Sequence, residues 1–326
     1  MQLLITGGTG FFGKAILRLV LSQGVSTDSS IVVLSRDPSQ FLSAYHEFSG
    51  HQQITFIEGD IQQRHSLPWA HSFTHVLHAA TDSTIGPSLS PLQRYDQIVE
   101  GTRNILDLAI ATGARRFLLT SSGAIYGPQP VDLNTIPEDW PGGPPLAEPS
   151  TAYGQAKRAA EHLCALFAEQ HGLETVIARC FAFVGPDLPL DVHFAIGNFI
   201  RDALTADAIT VAGDGTPLRT YLDQSDLAHW IFTLLKQGHP GEAYNVGSDE
   251  VISIADLAHL VRDILAPHKP VAILGRLDPC AARNRYVPNI QKAQRELSLS
   301  FSMSLAEAIR RTGAAKQVVK ADSGLP

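Results

Sequence analysis

The chain opens on Leu3-Leu4-Ile5-Thr6-Gly7-Gly8-Thr9-Gly10-Phe11-Phe12-Gly13, and this stretch constrains the fold more than any other. Leu3 to Ile5 is a short apolar run that reads as a buried strand. After the glycines, Lys14-Ala15-Ile16-Leu17-Arg18-Leu19-Val20-Leu21 carries apolar residues at helical spacing. Between them, Gly7, Gly10 and Gly13 let the backbone turn tightly and come close to a bound group, and Gly13 lets the helix pack against the strand. The helix N-terminus adds unpaired N–H groups and the positive end of its dipole. A glycine triplet alone is an ordinary turn; between a strand and a helix it makes a cradle for the pyrophosphate of a dinucleotide.

The same rhythm continues. Apolar strands are expected at 31–34, 54–57, 75–80, 116–122 and 175–179, and helices at 92–113 and 152–170, with a proline- and glycine-rich loop over 128–150. Alternation at this spacing implies right-handed crossovers and a parallel sheet covered on both faces. The expected fold is α/β, a Rossmann doubly wound parallel sheet with a smaller C-terminal α/β substrate lobe. The larger domain spans 1–185 and takes back segments near 219–240; the lobe spans 186–326. After residue 185 we expect helices at 194–204, 223–235 and 254–265, the last capped by Ser253, and short strands near 209–212 and 243–246. A short amphipathic helix at 305–311 and a frayed tail after Gly313 complete it.

Composition excludes several classes. Hydrophobic residues make up 44% and charged ones 17%, which suits a compact fold rather than a disordered chain, and the net charge of −7 argues against a general nucleic-acid binder. Cys164, Cys180 and Cys280 are odd in number and far apart, so they give neither a disulfide framework nor a metal site. No apolar run reaches the ~20 residues of a membrane span. A cytoplasmic protein is expected.

The chemistry sits in the middle of the chain. Tyr153-Gly154-Gln155-Ala156-Lys157 places a tyrosine and a lysine one turn apart on a helix, and Ser121-Ser122 ends the strand before it. A phenol with pKa near 10 is a poor base at neutral pH. A neighbouring ammonium and a positive nicotinamide ring both stabilise the phenolate, and a serine hydroxyl shares the hydrogen bond to the substrate oxygen. Such a trio takes a hydroxyl proton while hydride leaves for the cofactor. A Tyr/Lys pair by itself is commonplace; its place after a serine-ended strand and a nucleotide loop gives it meaning.

Together with Gly59-Asp60-Ile61, His78-Ala79-Ala80, Ser122-x-x-x-Tyr126, Gly185-Pro186, Asn198-Phe199-Ile200, Arg219-Thr220-Tyr221, Asp226-Leu227-Ala228 and Tyr244-Asn245-Val246-Gly247, these motifs give a chain that resembles the extended short-chain dehydrogenase/reductases, the NAD-dependent epimerase/dehydratases of nucleotide sugars. The resemblance covers nearly all of the sequence and implies Ser122, Tyr153 and Lys157 as catalytic. It implies Gly7, Gly10, Phe11, Phe12, Gly13, Asp60, Ile61, Ala79 and Ala80 at the cofactor, and Asn198, Arg219 and Arg283 at the nucleotide diphosphate, with Arg285 as a further contact. An arginine fork suits phosphate oxygens. His193 is a substrate-loop candidate, or an ordinary loop histidine; Cys180 reads as a buried thiol. The resemblance also implies a homodimer through the helices at 92–113 and 152–170.

Three departures shape the expectation. Where the 4,6-dehydratases carry an Asp-Glu pair after the serine or threonine, this chain has Gly123 and Ala124, neither able to move a proton. The cysteine of GDP-sugar epimerases and the acid of the UDP-glucuronate decarboxylases are missing at Ala124 as well. Ala182 replaces an asparagine common in the family. What survives is the Ser-Tyr-Lys hydride machinery, sufficient for a 4-epimerase or a 4-ketoreductase; a dehydratase that recruits another acid or base stays open, as does a non-catalytic NAD(P)-sensing protein. At the end of the second strand, Ser35-Arg36-Asp37 leaves NAD and NADP both open; Ser35 and Arg36 suit a 2′-phosphate and tilt the choice to NADP.

Overall fold

A computed structural model describes residues 1–23, 29–81, 89–192, 194–278 and 283–323, with side chains to 317. Strand β1 (Gln2–Thr6) leads through the glycine turn into α1 (Phe11–Gln23), and β2 (Ser30–Ser35) leads into the short α2 (Pro38–Ala44). Next come β3 (Ile54–Glu58), β4 (His75–His78), α3 (Pro91–Ala111), β5 (Arg116–Ser122), α4 (Ala152–His171) and β6 (Glu174–Cys180). β4 stops two residues sooner than expected, because Ala79 and Ala80 leave the sheet and turn into the cavity described below.

The chain then alternates between two bodies. β7 (Phe183–Val184), α5 (Ala195–Thr205), β8 (Ile209–Val211), β9 (Leu218–Arg219) and β10 (Leu222–Asp223) precede α6 (Gln224–Gln237) and β11 (Ala243–Val246). β12 (Ile252–Ser253), α7 (Ile254–Leu265), β13 (Val271–Ile273), β14 (Arg285–Tyr286), α8 (Gln291–Leu297) and α9 (Leu305–Ser323) follow. The main sheet has seven strands in the order β11-β6-β5-β4-β1-β2-β3, and every pairing is parallel.

Its strands read as near-continuous apolar runs because both faces are covered. Leu3, Ile5, Val33, Leu118 and Val176 point to one face with Ile16 of α1 and Trp230 of α6. Leu4, Val32, Leu34, Phe117 and Ile177 point to the other with Ile105 of α3 and Ala160 of α4. A separate core holds Ile196, Phe199, Ile209, Leu257, Val261 and Ile309. Ser253 caps α7, accepting from the Asp256 amide at 3.0 Å. α9 runs on through Gly313 to Ser323 rather than fraying. Gly313 lies so close to α7 that a Cβ there would meet Leu265 Cδ2 at 2.6 Å, and the contact holds the helix past its weak former.

Candidate active site

The glycine turn is a fitted floor. Gly7 adopts φ +72°, and a Cβ on it would lie 2.5 Å from the Ala79 carbonyl; Gly13 packs its Cα directly on the Gly8 backbone. Gly10 donates to the Gly7 carbonyl at 3.1 Å, and a Cβ on it would touch nothing closer than that carbonyl, at 3.4 Å. The space above Gly10 is thus open. It belongs to a cavity of about 850 Å³ that runs from Gly7, Gly10, Phe11 and Phe12 past Ser35, Arg36, Asp60, Ile61, Ala79 and Ala80 to Ser122, Tyr153 and Lys157. These residues meet at the strand ends, the place where a doubly wound sheet binds its ligand. Gly13 lies one layer below, in the packing of α1 on β1.

Other calls fall elsewhere. Asn198 does not line the cavity; its carboxamide accepts from Arg201 at 3.3 Å, and the start of α5 presents Ala195 and Ile196 instead. Arg283 is exposed beside Asp214, and Arg285 donates to Asn134 at 3.0 Å. His193 lies outside the described residues. Arg219 lines the cavity, donating one N–H to its neighbour's Leu218 carbonyl at 2.8 Å.

Strand alternation decides between the two serines. Ser121 faces Glu161, whose carboxylate also holds Arg179 at 2.9 Å. Ser122 therefore points the other way, into the cavity that Tyr153 also lines. Lys157, buried, donates to the Thr120 carbonyl at 2.8 Å and to Thr81 Oγ1 at 2.9 Å, and its Nζ stands 5.9 Å from the Tyr153 ring centre. Burial pulls the Lys157 ammonium down to about 8. In the protein alone Lys157 does not make Tyr153 acidic. Burial pushes that phenol up to about 12, and the Ser122 hydrogen bond and the Arg94 charge only partly offset it. Cys180 lines the cavity as a neutral thiol, pushed up to about 12 by burial. Beneath the glycine turn, burial holds His78 neutral, down to about 3, against Thr6 Oγ1 at 2.7 Å.

Thr81, Arg94, Gln97, Tyr221 and Tyr286 also line the cavity, and sequence reading missed them. Arg94 and Gln97 occupy polar positions of α3 that look like an ordinary solvated face. Asp37, by contrast, is absent from the lining: its carboxylate caps α2, accepting from the Gln40 amide at 2.8 Å.

A family model described as "NAD dependent epimerase/dehydratase family" matches residues 3–247. UDP-glucuronic acid decarboxylase 1 of Arabidopsis thaliana is 28% identical over 314 residues, covering 95% of this chain and 68% of that protein. Among solved structures, a UDP-glucose 4-epimerase of Thermotoga maritima with UDP-glucose superposes with TM-score 0.83 at 21% identity, covering 98% of this chain and 99% of that one. A dTDP-glucose 4,6-dehydratase of Bacillus anthracis in complex with NAD does so at TM-score 0.83 and 20% identity, with 98% of each chain covered.

Proposed function

The chain belongs to the NAD dependent epimerase/dehydratase family, and we propose that within it the protein is an NAD(P)-dependent enzyme that oxidises a nucleotide sugar at C4, in the manner of a 4-epimerase. The observation that carries this is the convergence of Ser122, Tyr153 and Lys157 on one cavity with the glycine floor. Tyr153 takes the proton of the sugar hydroxyl, Ser122 orients that oxygen, and Lys157, fixed by Thr81 and Thr120, holds the ribose and supplies positive charge. The nicotinamide, when bound, is the hydride acceptor, and its positive charge adds to the lowering of the Tyr153 phenol that the protein alone does not achieve. Residues 1–185 with the returning 219–240 segments hold the cofactor, β11 completes their sheet, and the rest of the chain holds the sugar nucleotide, whose phosphates Arg219 reaches from the boundary. Two copies pair through α3 and α4, a reading supported by Leu92 and Leu146 at 69% and 89% exposure beside them.

NADP is favoured over NAD. With its carboxylate on the α2 amide, Asp37 is turned from the ribose, and Ser35 and Arg36 face the cavity in its place. An arginine fork suits a 2′-phosphate. A decarboxylase that relies on an acid at the position of Ala124 fits less well, and so does a dehydratase that relies on one directly after the serine. A Cβ at residue 123 would stand 2.7 Å from both Phe181 Cζ and the Tyr286 hydroxyl, so the place for such a side chain is filled. UDP-glucuronic acid is still a first substrate to try, because it is in the names of the curated relatives.

The test is a thermal-shift screen of UDP-, dTDP-, GDP- and CDP-sugars with NAD⁺ and NADP⁺, followed by turnover of the hits. Tyr153→Phe is expected to keep cofactor binding and lose turnover by about 10²- to 10⁴-fold. Full activity in that variant overturns the reading. Cofactor binding without turnover of any sugar makes the protein a sensor. Tightly held cofactor in the purified enzyme marks an epimerase, and strict dependence on added NADPH marks a ketoreductase.

A further inference from the structure

Two phenols close on Ser122. Tyr286 stands opposite Arg219 in the β14–β9 pairing, and the Arg219 guanidinium sits 6.0 Å from the Tyr286 ring centre. The ring also packs against Phe181, centroids 4.6 Å apart and tilted by 36°. These contacts carry the Tyr286 hydroxyl over the backbone of residue 123, to 2.7 Å from where a Cβ would be, beside Ser122. Glycine at 123 is what lets the phenol arrive.

A serine hydroxyl has one proton and two lone pairs. The Ala124 amide already donates to Ser122 Oγ, at 3.1 Å. We propose that Tyr286 is a positioning residue: its O–H fills the second lone pair of Ser122, so that the one proton of Ser122 is left for the oxygen of Tyr153 before substrate binds and for the sugar oxygen once it is there. The role rests on Ser122 and Tyr153 acting as proposed above. Tyr286, Ser122 and Tyr153 then form a single run of hydroxyls, assembled only when β14 lies against β9. Burial holds Tyr286 above the ordinary phenol range, which keeps it a donor where Tyr153 must become an acceptor. Removing the Tyr286 hydroxyl frees Ser122 to turn its proton away, and the Tyr153 phenolate loses a donor.

The measurement is an ultraviolet difference titration of tyrosine in the NADP⁺-loaded protein. The phenolate step of Tyr153 is identified by its disappearance in Tyr153→Phe. In Tyr286→Phe that step is expected to move up by about half to one pH unit, a three- to tenfold smaller phenolate fraction at a given pH below it. Gly123→Ala, whose Cβ pushes aside both the Tyr286 hydroxyl and the Phe181 ring that supports it while leaving the phenol itself intact, is expected to move it the same way. With UDP-glucose or UDP-glucuronic acid, whichever is turned over, the acid limb of kcat should follow the titration while NADP⁺ affinity stays constant. A step unmoved in both variants overturns the proposal and leaves Tyr153 as the base. A step that survives in Tyr153→Phe overturns the reading of Tyr153 instead.

Discussion

The floor and the roof of the cavity are made in different ways. The floor is backbone. Its parts are the positive φ of Gly7, the contact of Gly13 with Gly8 and the amides at the start of α1, all within one short run of sequence. The roof is side chains. Arg219 and Tyr286 come from two-residue strands far apart in sequence, and they meet only through the β9–β14 register. A backbone site tolerates almost no change in the residues that make it, because nothing can rotate out of the way. A side-chain site can lose a member and keep its shape, at a cost in affinity or rate.

Substitutions that separate these behaviours are expected to differ in size. Gly13→Ala strikes the floor: its Cβ enters the Gly8 backbone, which has no rotamer with which to yield. Calorimetric NADP⁺ affinity should fall by about 100-fold or more, with a lower Tm. A variant that binds normally would show the floor to be as adaptable as the roof. Arg219→Leu strikes the roof. UDP affinity should fall about 10- to 100-fold, the worth of a charge-assisted hydrogen bond to phosphate, with NADP⁺ binding unchanged. Equal losses for both ligands would erase the distinction.

Two smaller effects sharpen it. His78, under the floor, has a folded pKa well below its unfolded value of about 6.5. As pH falls from 6.5 toward 3 the unfolded chain takes the proton first, so stability drops across that window and is recovered as pH rises. His78→Gln should flatten this part of a Tm-against-pH curve; an unchanged slope would mean His78 is not held neutral. Asp37→Ala removes the α2 cap and is expected to cost about 1 kcal/mol, a few degrees of Tm. The NADP-to-NAD preference should not move; a selective loss of NAD affinity would place the carboxylate on the ribose.

The same division governs what could be read from sequence. The long strands and helices show in the period of their apolar residues, and the floor shows in its glycines. The two-residue strands β7, β9, β10, β12 and β14 are too short to have a period, and α9 continues past Gly313, where Leu265 packs against it. Tyr153 and Lys157 could be found because one helix turn brings them together. Tyr286 could not, since nothing local links it to Ser122; the only hint was its position next to Arg285, already singled out. The acidity expected of Tyr153 from a nearby ammonium was overestimated because spacing along a helix reports proximity and says nothing of burial, which here outweighs the charge.

The outermost strand of the main sheet has a consequence for synthesis. β11 pairs with β6 through residues 243–246, after the chain has already built α5 and α6, and the Phe181 amide waits for the Val246 carbonyl at 3.0 Å. Until that segment leaves the ribosome, the nascent protein carries a bare, apolar β6 rim able to pair with any neighbouring chain. A fragment stopped before Ala243 would keep its glycine turn and still be prone to clump.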